Sequence, residues 1–432
     1  MVRTLVLLLL ALCSVDMAVH AQDLNSDKPK ERSRALEDLG KQGPTALPQV
    51  SPSLKDVDVE VRKTATKVIA EVGTQDAIPL LIQASQDNHP DVQILAVDGL
   101  VNMYLPGYFQ TGVSAMWSNF TRSVKSRFVE VNDDIIDSYV QVRPEVIDAI
   151  AKLINGGMNA DSKANAARAV GILRGRAAIP QLMDGLKQRD GSVIYECLNA
   201  LQKIRDPETA QKISYLLNDP ERKIQIAAIE TTGLLRNQDA AGSLEAIFTR
   251  NRNKDVRRAA LGALAMIASP SSRSIFIENL EEKDEAFRGS AAEGIGRLGN
   301  QGDVSMMREK FDAEAKRAPR LSMAFALVKL GNNAIDPFSP LTLLVNETNK
   351  SAYRKVATAF LTELARDADI RTPLFRFMES GTSDEKIALS QVMARSGEAD
   401  SIPYLERLSQ DRDAEVGKQA LRSLQVVRAR VR

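Results

Sequence analysis

Residues 61–73, Val-Arg-Lys-Thr-Ala-Thr-Lys-Val-Ile-Ala-Glu-Val-Gly, followed at 77–81 by Ala-Ile-Pro-Leu-Leu, decide the fold. Val61, Ala65, Val68, Ile69 and Val72 recur at i, i+4, i+7, i+8 and i+11, which puts them on one stripe of an α-helix. Gly73 supplies the left-handed position that ends such a helix, and Pro79 fits the first turn of the next, where a missing backbone N–H costs nothing. The unit is a helical hairpin. Neither helix can bury its apolar stripe within so short a unit, so hairpins of this kind must stack on one another.

The same pattern returns at Ala166, Val170, Leu173 and Ala178-Ile179-Pro180, and again at Gly397 and Ile402-Pro403. A small or apolar slot in the first helix falls at Ala65, Ala96, Ala166, Cys197, Ala228, Ala260, Ala291, Met323, Ala357, Leu389 and Ala420, in steps of 31, 70, 31, 31, 32, 31, 32, 34, 32 and 31 residues. A period held that closely predicts an all-α protein, an α-solenoid forming a right-handed superhelix of about twelve hairpins, with a weaker opening unit at Arg32 to Gly40. Gly73, Gly299, Gly331 and Gly397 are expected to close first helices in the left-handed conformation. Asp58, Asp190, Asp219 and Asp284 precede first helices and are expected to cap them, while Pro79, Pro180, Pro207 and Pro403 open second helices.

Val61-Arg62-x-x-Ala65, Val256-Arg257-x-x-Ala260 and Phe287-Arg288-x-x-Ala291, with the Ala-Ile-Pro second helices, resemble HEAT repeats of the short bacterial type named for phycobilisome lyase subunits. The resemblance covers nearly the whole chain after its first 21 residues. It implies an α-solenoid whose second helices line the concave side and whose usual role is binding proteins. Arg62, Arg257, Arg288, Arg320 and Arg354 then read as an inter-repeat ladder paired with acidic caps.

One step is 70 residues against the usual 31, so about 39 extra residues, Met103 to Arg143, interrupt a hairpin between its first helix and a second helix starting near Pro144. The organisation expected is a leader at 1–21, repeats at 22–102, an insertion at 103–143 and the main array at 144–432. The insertion holds Tyr104, Tyr108, Phe109, Trp117, Phe120, Phe128 and Tyr139, including the chain's single tryptophan. Two roles suit such rings: docking a protein partner, because aromatics bring contact area with little rotamer entropy to lose, or folding back to seal the neighbouring core. Phe128 to Val131 and Tyr139 to Val142 alternate like two short strands. Asn132, Asp133, Asp134 and Asp137 lack the spacing and bidentate glutamate of a calcium loop and read as a solvated turn.

Composition narrows the function classes. Lys plus Arg (57) nearly cancel Asp plus Glu (56), so a net charge of +1 offers no electrostatic case for nucleic acid. Arg3, the apolar run Leu5 to Leu12, and Val19-His20-Ala21 read as a secretory signal cleaved before Gln22, which predicts an exported chain, periplasmic or extracellular, with no later membrane span. Cleavage leaves Cys197 and His89 as the sole cysteine and histidine. Cys197 occupies the small slot of its helix, several hairpins from His89, so no nucleophilic dyad is expected. The repeated His-Glu pairs of deoxyhypusine hydroxylase, a HEAT-like enzyme, have no counterpart, since His89 is followed by Pro90. No phosphate loop, dinucleotide fingerprint or zinc spacing occurs either. The expectation is a non-catalytic scaffold without cofactor or metal that binds protein partners along its concave surface and insertion. The lyase resemblance also implies an alternative, binding or processing of a small hydrophobic or tetrapyrrole-like ligand.

Overall fold

The computed structural model describes residues 24–108 and 135–431. These form two compact units, the first comprising residues 24–108, 135–136 and 142–204, the second residues 137–141 and 205–431. Among the described residues there is no β-strand, and helical hairpins account for both units.

In the first unit the helices are α1 (Pro29–Gly40), α2 (Leu47–Val50), α3 (Val59–Val72), α4 (Ala77–Ala84), α5 (Pro90–Asn102), α6 (Pro144–Gly156), α7 (Ala160–Ile172), α8 (Ile179–Gly185) and α9 (Gly191–Ile204). The second unit opens with a 3-10 run, Gln211–Asn218, and continues through α10 (Arg222–Leu234), α11 (Ala241–Arg250), α12 (Lys254–Ile267), α13 (Arg273–Asn279), α14 (Glu285–Leu298), α15 (Val304–Ala313) and α16 (Arg317–Lys329). It ends with α17 (Pro340–Asn346), α18 (Arg354–Leu364), α19 (Ala368–Ser380), α20 (Ser383–Ser396), α21 (Ile402–Leu408) and α22 (Ala414–Val431). Within each unit every first helix stacks on the first helix of the next hairpin, and each second helix packs against the first helix that follows it.

Small residues set how closely the first helices approach. A Cβ on Gly171 would lie 2.8 Å from the Ala200 backbone, one on Gly233 2.7 Å from that of Ala263, and one on Gly296 2.6 Å from that of Ala326. These contacts recur at one register, five residues after the small slot, so successive first helices touch backbone to backbone. The second helices are shorter and are often preceded by a 3-10 turn, as at Arg176–Ala178, Gln238–Ala240 and Gln301–Asp303.

The caps follow the residue chemistry. Asp58, Asp190, Asp219 and Asp284 each accept a backbone N–H two residues on, at 2.8 to 2.9 Å, but Asp219 does so ahead of its helix, whose N-cap is Glu221 with no side-chain cap. Gly73, Gly299 and Gly331 are left-handed, but Gly397 is extended at φ −71°. Gly397 is required for room instead: a Cβ there would meet the Met393 carbonyl oxygen and Ser401 Oγ, each at 2.7 Å. Four non-glycine residues take the left-handed slot, Arg174, Arg205, Arg236 and Ala268, with φ between 51° and 56°.

The arginine ladder divides into two kinds of contact. Arg62 donates to Asp87 at 2.7 Å and to the Asp56 carbonyl at 3.0 Å, Arg288 to Glu314 at 2.7 Å, and Arg354 pairs with Asp384 at 2.7 Å, each reaching toward the next hairpin. Arg257 instead lies over the Phe248 and Phe287 rings, at 5.1 and 5.2 Å, and Arg320 over Phe311 at 4.7 Å. Tyr139 to Val142 form a turn and irregular chain, not the strand their alternation suggested. Phe128 to Val131 lie outside those residues.

Candidate functional site

Counting from the small slot, the residue six positions on is Leu234 in α10, Met266 in α12, Arg297 in α14, Lys329 in α16 and Glu363 in α18. Four of these five residues, all but Lys329, line one cleft in the second unit. Arg297 crosses the intervening α16 to bond Glu363, with Nε to Oε1 at 3.0 Å and Nη2 to Oε2 at 2.9 Å. Arg236, just past the end of α10, brings Nη2 within 3.7 Å of the same carboxylate. The close glycine and alanine contacts between successive first helices bring these hairpins near enough for their side chains to meet.

The convergence encloses a cleft of about 300 Å³ walled by Leu234, Met266, Ala359 and Phe360 and edged by Arg205, Arg236, Arg297, Glu363 and Arg366. At its floor Arg297, 6% exposed, also donates to Glu293 at 3.1 Å and lies over the Phe325 ring at 4.8 Å. Glu293 in turn accepts from Ser322 Oγ at 3.1 Å. Burial pushes the Glu293 carboxyl above its ordinary range, with Arg297 and Ser322 holding it back. Burial also works against charge on Glu363, but Arg297 and then Arg236 outweigh it and hold that carboxyl below its usual range. The cleft therefore has a fixed ion-pair floor and a cationic rim.

A second polar cluster lies in the first unit. Asn165 Nδ2 on α7 donates to Asp98 Oδ1 on α5 at 3.0 Å, and Arg168 Nη2 donates to Glu196 on α9 at 2.8 Å. Asp98 is 7% exposed, and burial pushes its carboxyl up to about 6 against the opposing pull of Asn165 and Arg168. Asn165 Oδ1 is buried without a hydrogen-bond partner among the described residues. The native state thus holds a proton that the unfolded chain, near 3.8, has already released between pH 4 and 6. Stability from this group is present at low pH and is lost as pH rises through about 6. Asp98→Asn removes the buried charge and gives Asn165 Oδ1 a donor, so it is expected to raise unfolding free energy by about 2 kcal/mol at pH 8 and to change it little at pH 4, as read by urea denaturation.

The aromatic residues of the insertion divide. Tyr104 lies in the first unit, where its hydroxyl accepts the Arg143 N–H at 3.2 Å, and Tyr108 is half-buried in the same unit. Tyr139 belongs to the second unit and is 39% exposed, two residues from Asp137, which pairs with Arg422 at 2.8 Å. Phe109, Trp117, Phe120 and Phe128 lie outside the described residues. Cys197 is fully buried in α9, where burial, with Glu196 adding to it, pushes the thiol up to about 12, the behaviour of a packing residue. His89 caps α5, its Nδ1 accepting the Asp91 N–H at 3.2 Å. Among the described residues no three His, Cys, Asp or Glu side chains are grouped to hold a metal ion, and no helix is long and apolar enough to cross a membrane.

The cleft was missed by motif reading because its arginines match no motif. The available signal was register: the column that is Leu234 and Met266 in two helices becomes charged in the next three.

Comparison with known proteins agrees with the architecture. The model of the HEAT repeats family matches residues 19–101, 147–233, 211–296 and 241–328. No curated protein matches the sequence. Among solved structures, similarity extends to an engineered protein (17% identity, 95% of this chain and 98% of that one, TM-score 0.39). It extends also to E. coli YibA (15%, 68% and 94%, TM-score 0.42) and to Kap121p bound to Pho4p (11%, 95% and 57%, TM-score 0.44). With stacked hairpins in both units and family matches spanning more than half of its length, the chain belongs to the HEAT-repeat family.

Proposed function

We propose that this protein is an exported, non-catalytic scaffold that binds protein partners through the concave surface of its solenoid and through the aromatic insertion at 103–143. The observation that carries the reading is the cleft of the second unit, where Arg236, Arg297 and Glu363, from hairpins far apart in sequence, share one partly open surface. Solenoids present such composite surfaces because stacking aligns equivalent positions of successive repeats. The groups most suited to nucleophilic chemistry have structural duties instead, Cys197 in packing and His89 in capping. The leader-like sequence at 1–21 supports export, with a mature chain beginning at Gln22.

Affinity capture tests the reading. The mature chain and a form with residues 103–143 replaced by a short turn, both shown helical by circular dichroism, are incubated with envelope extracts. A protein held stoichiometrically by the intact chain is expected, and its loss from the shortened form assigns the insertion as a docking element. Retention of no protein by either form would sink the scaffold reading.

A further inference from the structure

We infer that the arginine-edged cleft of the second unit is a docking point for the carboxylate side chains of an acidic segment on a partner protein. The inference deepens the scaffold reading and rests on it, since it names the chemistry of the partner. Four guanidinium groups and one carboxylate line the cleft. Arg297 is committed to Glu293 and Glu363 and forms the floor. Arg236 is held only loosely: its side chain is 51% exposed and its pair with Glu363 is long, at 3.7 Å, beyond hydrogen-bond length. Arg366 is exposed and forms no ion pair among those residues.

The backbone supplies a separate observation. Arg236 has φ 54° at the slot where Gly73, Gly299 and Gly331 end other first helices. Arg174, in the first unit, takes the same conformation, so the slot accepts arginine without a cleft beside it; at 236 the slot places the guanidinium at the cleft rim.

Shape and charge choose the occupant. A guanidinium fork matches a carboxylate edge on, as the Arg297–Glu363 pair already demonstrates inside the cleft. Leu234, Met266 and Phe360 offer apolar walls for the methylene stem of a glutamate. A nucleic acid would call for a long basic track, whereas this chain carries a net charge of only +1.

The test is fluorescence anisotropy of the full chain with a fluorescein-labelled peptide of alternating Glu and Gly, against the matching Gln and Gly peptide. The glutamate peptide is expected to bind saturably and the glutamine peptide about tenfold more weakly or worse. Arg236→Gly fits φ 54° without strain, which offsets loss of the long pair with Glu363, so the variant should keep its helicity. Combined with Arg366→Gln it is expected to weaken the glutamate peptide about tenfold. Equal binding of the two peptides, equal binding by the double variant, or absence of saturable binding would each overturn the inference. So would displacement of the peptide by inorganic phosphate at equal concentration, which marks a site for small anions. A partner captured equally by parent and double variant also overturns the cleft while leaving the scaffold intact. Failure of the parent to capture any protein counts against the scaffold reading, and the peptide titration still decides the cleft.

Discussion

Arg297→Met is expected to lower the unfolding free energy by about 3–5 kcal/mol at pH 7, the cost of removing one partner from a buried ion network. Methionine replaces much of the arginine stem, so the loss is mainly electrostatic. Glu293 and Glu363 are left facing each other with little water, and the Phe325 ring loses the cation that lies 4.8 Å from its centre. The pH dependence separates this account from simple loss of packing. In the parent, Glu363 titrates below its ordinary range, so its contribution is present above the unfolded pKa of 4.5 and is lost as pH falls through the folded value. Burial raises Glu293 and opposes that trend in part. In the variant, both carboxyls are raised by burial and mutual repulsion, so the penalty is present at neutral pH and shrinks on acidification. Urea denaturation at pH 7 and pH 4 should therefore show the two proteins converging at the lower value. A constant gap across that range would assign the loss to packing.

Gly296→Val should cost about 3 kcal/mol, at the upper end of the usual range for overpacking. Its Cβ would lie 2.6 Å from Ala326 Cα and 2.9 Å from Ala326 Cβ, and a backbone atom cannot rotate out of the way. The helices α14 and α16 must separate. Because this contact helps hold the first-helix layer tight, separation also works against the approach of Arg297 to Glu363. Gly242→Ala is the control: it lies exposed in α11 with nothing within 4 Å of an added Cβ, and it should stabilise by about 0.5–1 kcal/mol through helix propensity alone. Thermal melts of the two variants distinguish a close helix contact from a general intolerance of larger residues. Equal small effects would show that the first helices have slack.

Hairpin length, the capping role of Asp58 and Asp284, the second-helix prolines Pro79, Pro180 and Pro403 and the packing role of Cys197 were legible because each depends on chemistry within a few residues or on a strict period. Asp219 falls ahead of its helix, whose N-cap is Glu221, and Pro207 opens a 3-10 turn instead of an α-helix. The left-handed glycine rule was less complete. It held at Gly73, Gly299 and Gly331, missed the crowding that requires Gly397, and could not anticipate arginine in that conformation at 174, 205 and 236. Similarly, Arg62, Arg288 and Arg354 find acidic partners, whereas Arg257 and Arg320 lie over phenylalanines that ladder logic does not consider.

The sequence by itself determined that this chain builds stacked helical hairpins, because apolar periodicity, turn residues and repeat length are local properties and a lone hairpin cannot bury its stripe. Only the tertiary structure decided that Arg236, Arg297 and Glu363 converge. Their convergence depends on close contacts between successive first helices, such as Gly233 on Ala263 and Gly296 on Ala326, and no single repeat contains those contacts.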